Sequence, residues 1–248
     1  MKKVLIIGDS HAACLKQAEK TVCKDFNVVL HFLVASGHSR DCLIFDQSSV
    51  SIAVRPIWPK PKNKNFTIEQ FDRQYDMLLE MFETIGDSRV VNYRDYIAIV
   101  LVGADFLQNY WSEYDSNILN YSHAFLNELF FHKNMGLHGQ WLEALKNIDG
   151  VDIYSSSVPL TNQLHYDATN YNKPKKSLVD IFDSINHVIS CYGATYIPLP
   201  ETLLSIDKRA TKAEFKTQAA HDMRHLNVEG GEIRLRDLLE KIDGINKN

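Results

Sequence analysis

Short apolar runs alternate with amphipathic stretches along this chain. Five of the runs predict β-strands, over residues 4–7, 27–34, 96–102, 151–155 and 195–199. Between them, apolar residues recur at helical spacing, which predicts helices over residues 12–20, 67–85, 122–133, 139–148, 176–191 and 228–242. Strands that alternate with helices form a parallel sheet with helices on both faces. The predicted fold class is therefore α/β, a three-layer α/β/α sandwich with a five-stranded parallel sheet.

A hairpin and one strongly marked helix add to this core. Residues 43–57 alternate imperfectly around a polar turn at 46–49, which predicts a β-hairpin or an irregular flap. The helix over 67–85 begins with a capping-box pattern at Thr67 and Gln70 and is followed by Gly86 as a stop signal. With 248 residues and 45% hydrophobic content, the chain can bury a full core. We expect one domain over residues 1–248.

Charge and cysteine content narrow the classes of function. The net charge of -4 and the pI near 6.2 leave no basic surface for a nucleic acid, so no nucleic-acid partner is expected. The four cysteines have no short paired spacing, which argues against a zinc knuckle and against a disulfide framework. The first apolar run holds four residues, too few for a signal-peptide core or a membrane span. We therefore expect a cytoplasmic protein with free thiols.

The first strand and helix meet at the turn Gly8-Asp9-Ser10. Open α/β sheets place their sites at the carboxyl ends of strands, and a helix N-terminus favours negative charge. These two properties make Ser10 a candidate nucleophile. Ser and Asp are also ordinary N-cap residues, so capping is the competing interpretation of the same turn.

A second chemical pattern precedes the last helix. Asp222 and His225 are three residues apart, so the carboxylate can reach one imidazole nitrogen and leave the other facing outward. This is the base and its orienting partner in a hydrolytic triad. A capping aspartate beside a surface histidine is the simpler interpretation. A metal site built from His221, Asp222 and His225 is a further alternative, but no upstream cluster has matching spacing, so neither a metal nor any other cofactor is expected.

Taken together, four blocks resemble the SGNH (GDSL-type) hydrolases. They are Gly8-Asp9-Ser10 after the first strand, Gly37 after the second, Gly103-Ala104-Asp105 after the third, and Asp222-x-x-His225-Leu226-Asn227 before the last helix. The blocks occur in the order of that family and span almost the whole chain. The resemblance implies a flavodoxin-like sandwich that cleaves or transfers acyl groups, most often on esters of sugars, lipids or small alcohols.

Residue by residue, the resemblance makes Ser10 the nucleophile, His225 the general base and then acid, and Asp222 its orienter. The backbone N–H groups of Ser10 and Gly37 would hold the oxyanion. The family places an asparagine side chain as the third oxyanion donor, and this chain has Asp105 there. An ionised carboxylate has no N–H to donate, and one such donor is worth about 2.7–4 kcal/mol in the transition state.

Several outcomes of this departure stay open. Asp105 is protonated through burial, Gln108 or Asn109 replaces it, two backbone donors suffice, or activity is weak or lost. A second departure is His11, where the family usually has Leu. We interpret His11 as a residue that either lines the site and binds substrate or faces solvent.

Aromatic and amide side chains after the third strand indicate the substrate. The aromatic residues are Phe106, Tyr110, Trp111, Tyr114 and Tyr121, and Tyr166 in a later loop could complete the same wall. Aromatic faces beside hydrogen-bonding amides suit a carbohydrate, although part of this set is expected in the core. The first hypothesis is a serine esterase acting on an acylated carbohydrate or another small ester. The alternatives are an O-acyltransferase that passes the acyl group to a sugar hydroxyl, and a non-catalytic carbohydrate-binding protein.

Overall fold

The computed structural model describes residues 1–35, 42–55, 67–86, 89–104, 136–146, 148–160, 178–217, 222 and 225–247. The strands within these ranges are β1 (Lys2–Gly8), β2 (Val28–Val34), β3 (Leu43–Asp46), β4 (Ser51–Val54), β5 (Val90–Asn92), β6 (Ala98–Ala104), β7 (Asp152–Ser157) and β8 (Thr195–Ile197). The α-helices are α1 (Ala13–Val22), α2 (Ile68–Gly86), α3 (Gly136–Leu145), α4 (Leu178–Ser190) and α5 (Val228–Lys241).

The main sheet has five parallel strands in the order β2-β1-β6-β7-β8. The chain moves from β1 to one side of the sheet to form β2, and later forms β6 on the other side. A strand order of this kind opens a crevice at the carboxyl ends of β1 and β6, where open α/β sheets bind their ligands. The five-stranded parallel sheet predicted from the sequence is confirmed, and its order is flavodoxin-like, as in the SGNH-type fold that the chain resembles.

Alternate side chains of β1 enter two separate cores. Val4 and Ile6 pack with residues of α1 and α5, whereas Leu5 and Ile7 pack with residues of α2, α3 and α4. All four side chains are fully buried. Burial of an aliphatic side chain of this size stabilises the fold by about 1.5–3 kcal/mol, so both faces of β1 anchor the strand between the two helical layers. The three-layer α/β/α arrangement predicted from the sequence is confirmed.

A second, antiparallel sheet has the order β3-β4-β5. The β3–β4 pair is the predicted hairpin, and Ile52, Val91 and Tyr93 bury its inner face in the core that also holds α2. The sequence analysis missed β5. This strand has three residues, of which only the middle one is buried, and such a short segment carries no alternation that a pattern could detect.

Most element boundaries agree with the sequence within two or three residues. The capping box of α2 is present, because the Gln70 side chain accepts from the Thr67 N–H at 3.0 Å and the Thr67 hydroxyl accepts from the Gln70 N–H at 3.2 Å. The helix predicted from residue 139 begins at Gly136. The prediction missed the first turn because its two glycines weaken the helical signal. The helix predicted over 122–133 lies outside the described residues. No described helix combines the length and the apolar composition needed to cross a membrane.

Candidate active site

Ser10 lies at the carboxyl end of β1, on the central crevice of the sheet. Asp9 caps a short 3₁₀ helix, Ser10–Ala12, that leads directly into α1, and its carboxylate accepts from the His11 N–H at 2.9 Å. The capping interpretation therefore holds for Asp9. Ser10 begins the helical turn, where a backbone N–H has no carbonyl of the same helix to bond. The oxyanion role of this amide stays a prediction.

The ends of two neighbouring strands close around this turn. Gly103 of β6 has φ +109°, and a Cβ at this position would lie 2.8 Å from the carboxylate atoms of Asp9. Only glycine tolerates this backbone conformation and approach. On the other side, Ala35 after β2 donates its N–H to the Gly8 carbonyl at 2.8 Å. Ala35 and Gly103 thus lie beside the serine turn.

Asp222 and His225 contact each other as the spacing predicts. The Nδ1 atom of His225 lies 2.8 Å from Oδ2 and 2.9 Å from Oδ1 of Asp222. The same carboxylate accepts from the His225 backbone N–H at 2.9 Å and from the Thr217 hydroxyl at 3.0 Å. Asp222 therefore holds its own loop and contacts the imidazole, whereas the cap of the following helix is Asn227.

Backbone hydrogen bonds hold the loop of His225 against the segment before it. Thr217 donates its N–H to the His225 carbonyl at 3.2 Å, and Asn227 donates its N–H to the Phe215 carbonyl at 2.8 Å. The Asn227 side chain caps α5 by accepting from the Gly230 N–H at 2.9 Å. His225 is consequently placed two residues before the cap of a long, well-anchored helix.

The two halves of the site meet through one hydrogen bond. The serine half is the turn that holds Ser10, and the histidine half is the loop that holds Asp222 and His225. The Ser10 hydroxyl lies 2.7 Å from Nε2 of His225, although the two residues are 215 positions apart. With Nδ1–H donating to Asp222, Nε2 is unprotonated and accepts from the serine hydroxyl. The side chains of His225 and Asp222 are 35% and 21% exposed, so the assembly is open to a small substrate. This arrangement can remove the proton of Ser10 as its oxygen attacks an acyl carbon.

The first and last helices fix the spacing of these halves. Gly231 of α5 faces the backbone of Cys14 in α1, and a Cβ on Gly231 would lie 2.6 Å from the Cys14 carbonyl oxygen. Because α1 follows Ser10 and α5 follows His225, this close approach of the two helices sets the distance between the backbones of Ser10 and His225.

Arg234 of α5 places a buried positive charge in the helical layer that α1 and α5 form. Its guanidinium donates to the Ser156 hydroxyl at 3.1 Å and to the Ser157 carbonyl at the end of β7, and the residue is 2% exposed. Burial lowers the pKa of Arg234, while the nearby Cys14 and the Asp9 carboxylate act in the opposite direction. The sequence analysis missed Arg234, because an arginine in an amphipathic helix carries no sign that it is buried. Thr217 was missed too, and no pattern would have found it.

The other predicted site residues divide into two groups. His11 lies in the site: it is buried, and its ring stacks on that of His225 with centroids 4.4 Å apart. The solvent-facing interpretation of His11 is therefore wrong. The remaining ones lie outside the described residues, namely Gly37, Asp105, Phe106, Gln108, Asn109, Tyr110, Trp111, Tyr114, Tyr121 and Tyr166. His221 of the metal alternative is also outside, and within the described ranges no three metal-binding side chains lie together.

Comparison with known proteins gives remote structural likenesses. No protein-family model and no curated protein matches the sequence. The chain is similar to the periplasmic domain of a lipopolysaccharide acetyltransferase from Salmonella ser. Paratyphi A, at 13% identity and a TM-score of 0.46, over 98% of this chain and 84% of that one. It is also similar to a carbohydrate acetylesterase family member from Sinorhizobium meliloti, at 11% identity and a TM-score of 0.39, over 96% and 95%. Such likenesses carry no argument about activity, so the chemistry is inferred from the residues of this chain.

Proposed function

We propose that this chain is a serine-dependent acyl-ester hydrolase that acts through Ser10, His225 and Asp222. The observation that carries the proposal is the continuous line of hydrogen bonds from the Ser10 hydroxyl through both imidazole nitrogens to the Asp222 carboxylate. A capping aspartate beside a surface histidine accounts for the Asp222 contacts alone. It does not account for a serine hydroxyl at 2.7 Å from the other ring nitrogen.

The proposed reaction begins with attack of Ser10 Oγ on the ester carbonyl carbon. His225 Nε2 accepts the hydroxyl proton, and Asp222 stabilises the resulting imidazolium through Nδ1–H. The carbonyl oxygen becomes an oxyanion beside the Ser10 N–H, with the Gly37 N–H as the second donor that the sequence predicts. Collapse of the tetrahedral intermediate breaks the ester C–O bond, and His225 returns its proton to the departing alcohol.

Deacylation repeats these steps with another nucleophile. A water molecule gives its proton to His225 Nε2 and attacks the acyl carbon, and the Ser10 oxygen leaves with the proton that His225 returns. If a sugar hydroxyl replaces the water, the same acyl-enzyme yields a transferase. The acylated carbohydrate substrate and the cytoplasmic location are proposals that rest on the sequence.

The first test is release of p-nitrophenol from p-nitrophenyl acetate by the wild-type protein and by Ser10→Ala. We expect Ser10→Ala to lose at least about 10³-fold in kcat, since removal of the nucleophile stops acyl-enzyme formation. Ser190→Ala is the matched control, because Ser190 is an exposed serine at the end of α4 whose hydroxyl donates to the His187 carbonyl. Normal turnover by Ser10→Ala would overturn the proposal.

The same assay with sugar acceptors distinguishes hydrolysis from transfer. Release that depends on Ser10 and needs no acceptor supports the hydrolase. Release that rises with an acceptor, together with recovery of the acylated sugar, identifies a transferase that uses the same serine. Thermal unfolding of each variant shows whether a lost activity reflects a lost fold.

A further inference from the structure

His11 contacts the proposed base in a way that the triad alone does not require. The His11 and His225 rings are stacked, with centroids 4.4 Å apart and an angle of 22° between their planes. His11 is 8% exposed, whereas the His225 side chain is 35% exposed. One face of the His225 ring is therefore covered by a buried ring.

The His11 backbone is held firmly next to the nucleophile. Its N–H donates to the Asp9 carboxylate at 2.9 Å, and its carbonyl accepts from the Cys14 thiol at 3.1 Å. His11 also belongs to the same 3₁₀ turn as Ser10. The serine oxygen and the stacking ring thus reach His225 from one rigid piece of backbone.

Two hydrogen bonds restrain a tilt of the His225 ring only weakly. Both bonds, at Nδ1 and at Nε2, act in the plane of the imidazole, so neither directly opposes a tilt of the ring out of that plane. Such a tilt turns the Nε2 lone pair away from the serine proton. A flat ring packed against the face opposes it, because tilting would press the two rings together.

We propose that His11 is a positioning residue that fixes the plane of the His225 ring, and that it does not bind substrate. This inference rests on the proposed function for its effect on catalysis. Removal of the stacking ring should lower kcat because proton transfer depends on alignment, and it should leave KM nearly unchanged because a positioning residue acts through His225 and not on substrate binding.

The test compares His11→Ala with His11→Phe. Loss of the ring in His11→Ala should lower kcat about 10- to 100-fold with KM changed less than about twofold, on the scale of small misplacements in active sites. His11→Phe restores a flat ring without nitrogen atoms and should return kcat to within about threefold of wild type. His31→Leu is the matched control, since this imidazole is partly buried and bonds the Tyr96 hydroxyl but does not contact His225.

Two kinetic results would overturn the proposal. Wild-type kcat in His11→Ala would show that the stack does no positioning. A raised KM with unchanged kcat, not rescued by Phe, would show that His11 binds substrate. Thermal unfolding identifies a variant that fails to fold.

A spectroscopic readout separates this inference from the proposed function. The ring current of residue 11 should shift the His225 ring protons upfield in the wild-type protein and in His11→Phe, and the shift should disappear in His11→Ala. Its absence in the wild-type protein would overturn the stack even if His11→Ala does not fold. Turnover that survives Ser10→Ala, with this shift present, would instead refute the serine mechanism and leave the ring contact intact.

Discussion

The two halves of the site are held in different ways. The serine half is set by packing: the Gly103 backbone presses on Asp9, and Ser10 continues into a helix with one face buried in the core. The histidine half is set by hydrogen bonds, from Thr217 and from the backbone of residues 215–217, and its side chains are partly exposed. Substitutions at close-packed backbone positions should therefore disturb the fold, whereas substitutions of the side chains that hold Asp222 and His225 should disturb the reaction.

Asp222→Asn tests this contrast with the largest expected effect. An amide cannot stabilise the imidazolium, and its NH₂ group favours the tautomer with the proton on Nε2, which cannot accept from Ser10. We expect kcat to fall about 10⁴-fold while the melting temperature changes little. Steady-state kinetics and thermal unfolding of the same preparation measure both quantities.

Asp207→Asn is the matched control for this change. Asp207 also caps a loop, accepting from the Ser205 hydroxyl at 2.6 Å and from the Arg209 N–H at 3.2 Å, and neither partner is a histidine. Equal losses of activity in the two variants would mean that Asp222 is only a loop cap.

Gly231→Ala tests the contact that joins the two halves. Its Cβ would meet the Cys14 carbonyl, so α1 and α5 must separate. Overpacking of this kind costs about 1–3 kcal/mol of the free energy of unfolding, and for a chain of this size each 1 kcal/mol lowers the melting temperature by about 2–4 °C. We expect kcat to fall as well, because Ser10 precedes α1 and His225 precedes α5, so separating the helices moves the two side chains apart.

Gly86→Ala makes the same chemical change where nothing lies within 4 Å of the added carbon. It should leave the melting temperature within about 2 °C of wild type. A loss of stability as large as that of Gly231→Ala would show that the close approach of α1 and α5 is not the cause.

The serine half, which is held by packing, was also the easier half to predict from the sequence. The apolar run of β1 and the turn after it are local signals, so the sheet, the helix and Ser10 could be predicted together. Asp222 and His225 were found because they are neighbours in sequence. The His11 stack, the burial of Arg234 and the Thr217 hydrogen bond depend on partners brought together only by the folded chain, and no periodicity encodes them.

Thr217→Val gives the smallest and most selective test of the hydrogen-bonded half. Valine keeps the shape of the side chain and removes the hydroxyl that donates to Asp222 Oδ2. Asp222 keeps its contacts with His225, so only its orientation is loosened, and one hydrogen bond is worth about 0.5–1.5 kcal/mol. We expect kcat to fall about two- to tenfold with an unchanged KM.

Thr211→Val is the control for this change. The Thr211 hydroxyl donates to the Leu160 carbonyl and touches no triad residue, so we expect a loss of stability there without a matching loss of kcat. Unchanged kcat in Thr217→Val would show that Asp222 keeps its orientation without this hydroxyl, and that the histidine half depends less on the Thr217 hydrogen bond than the contrast implies.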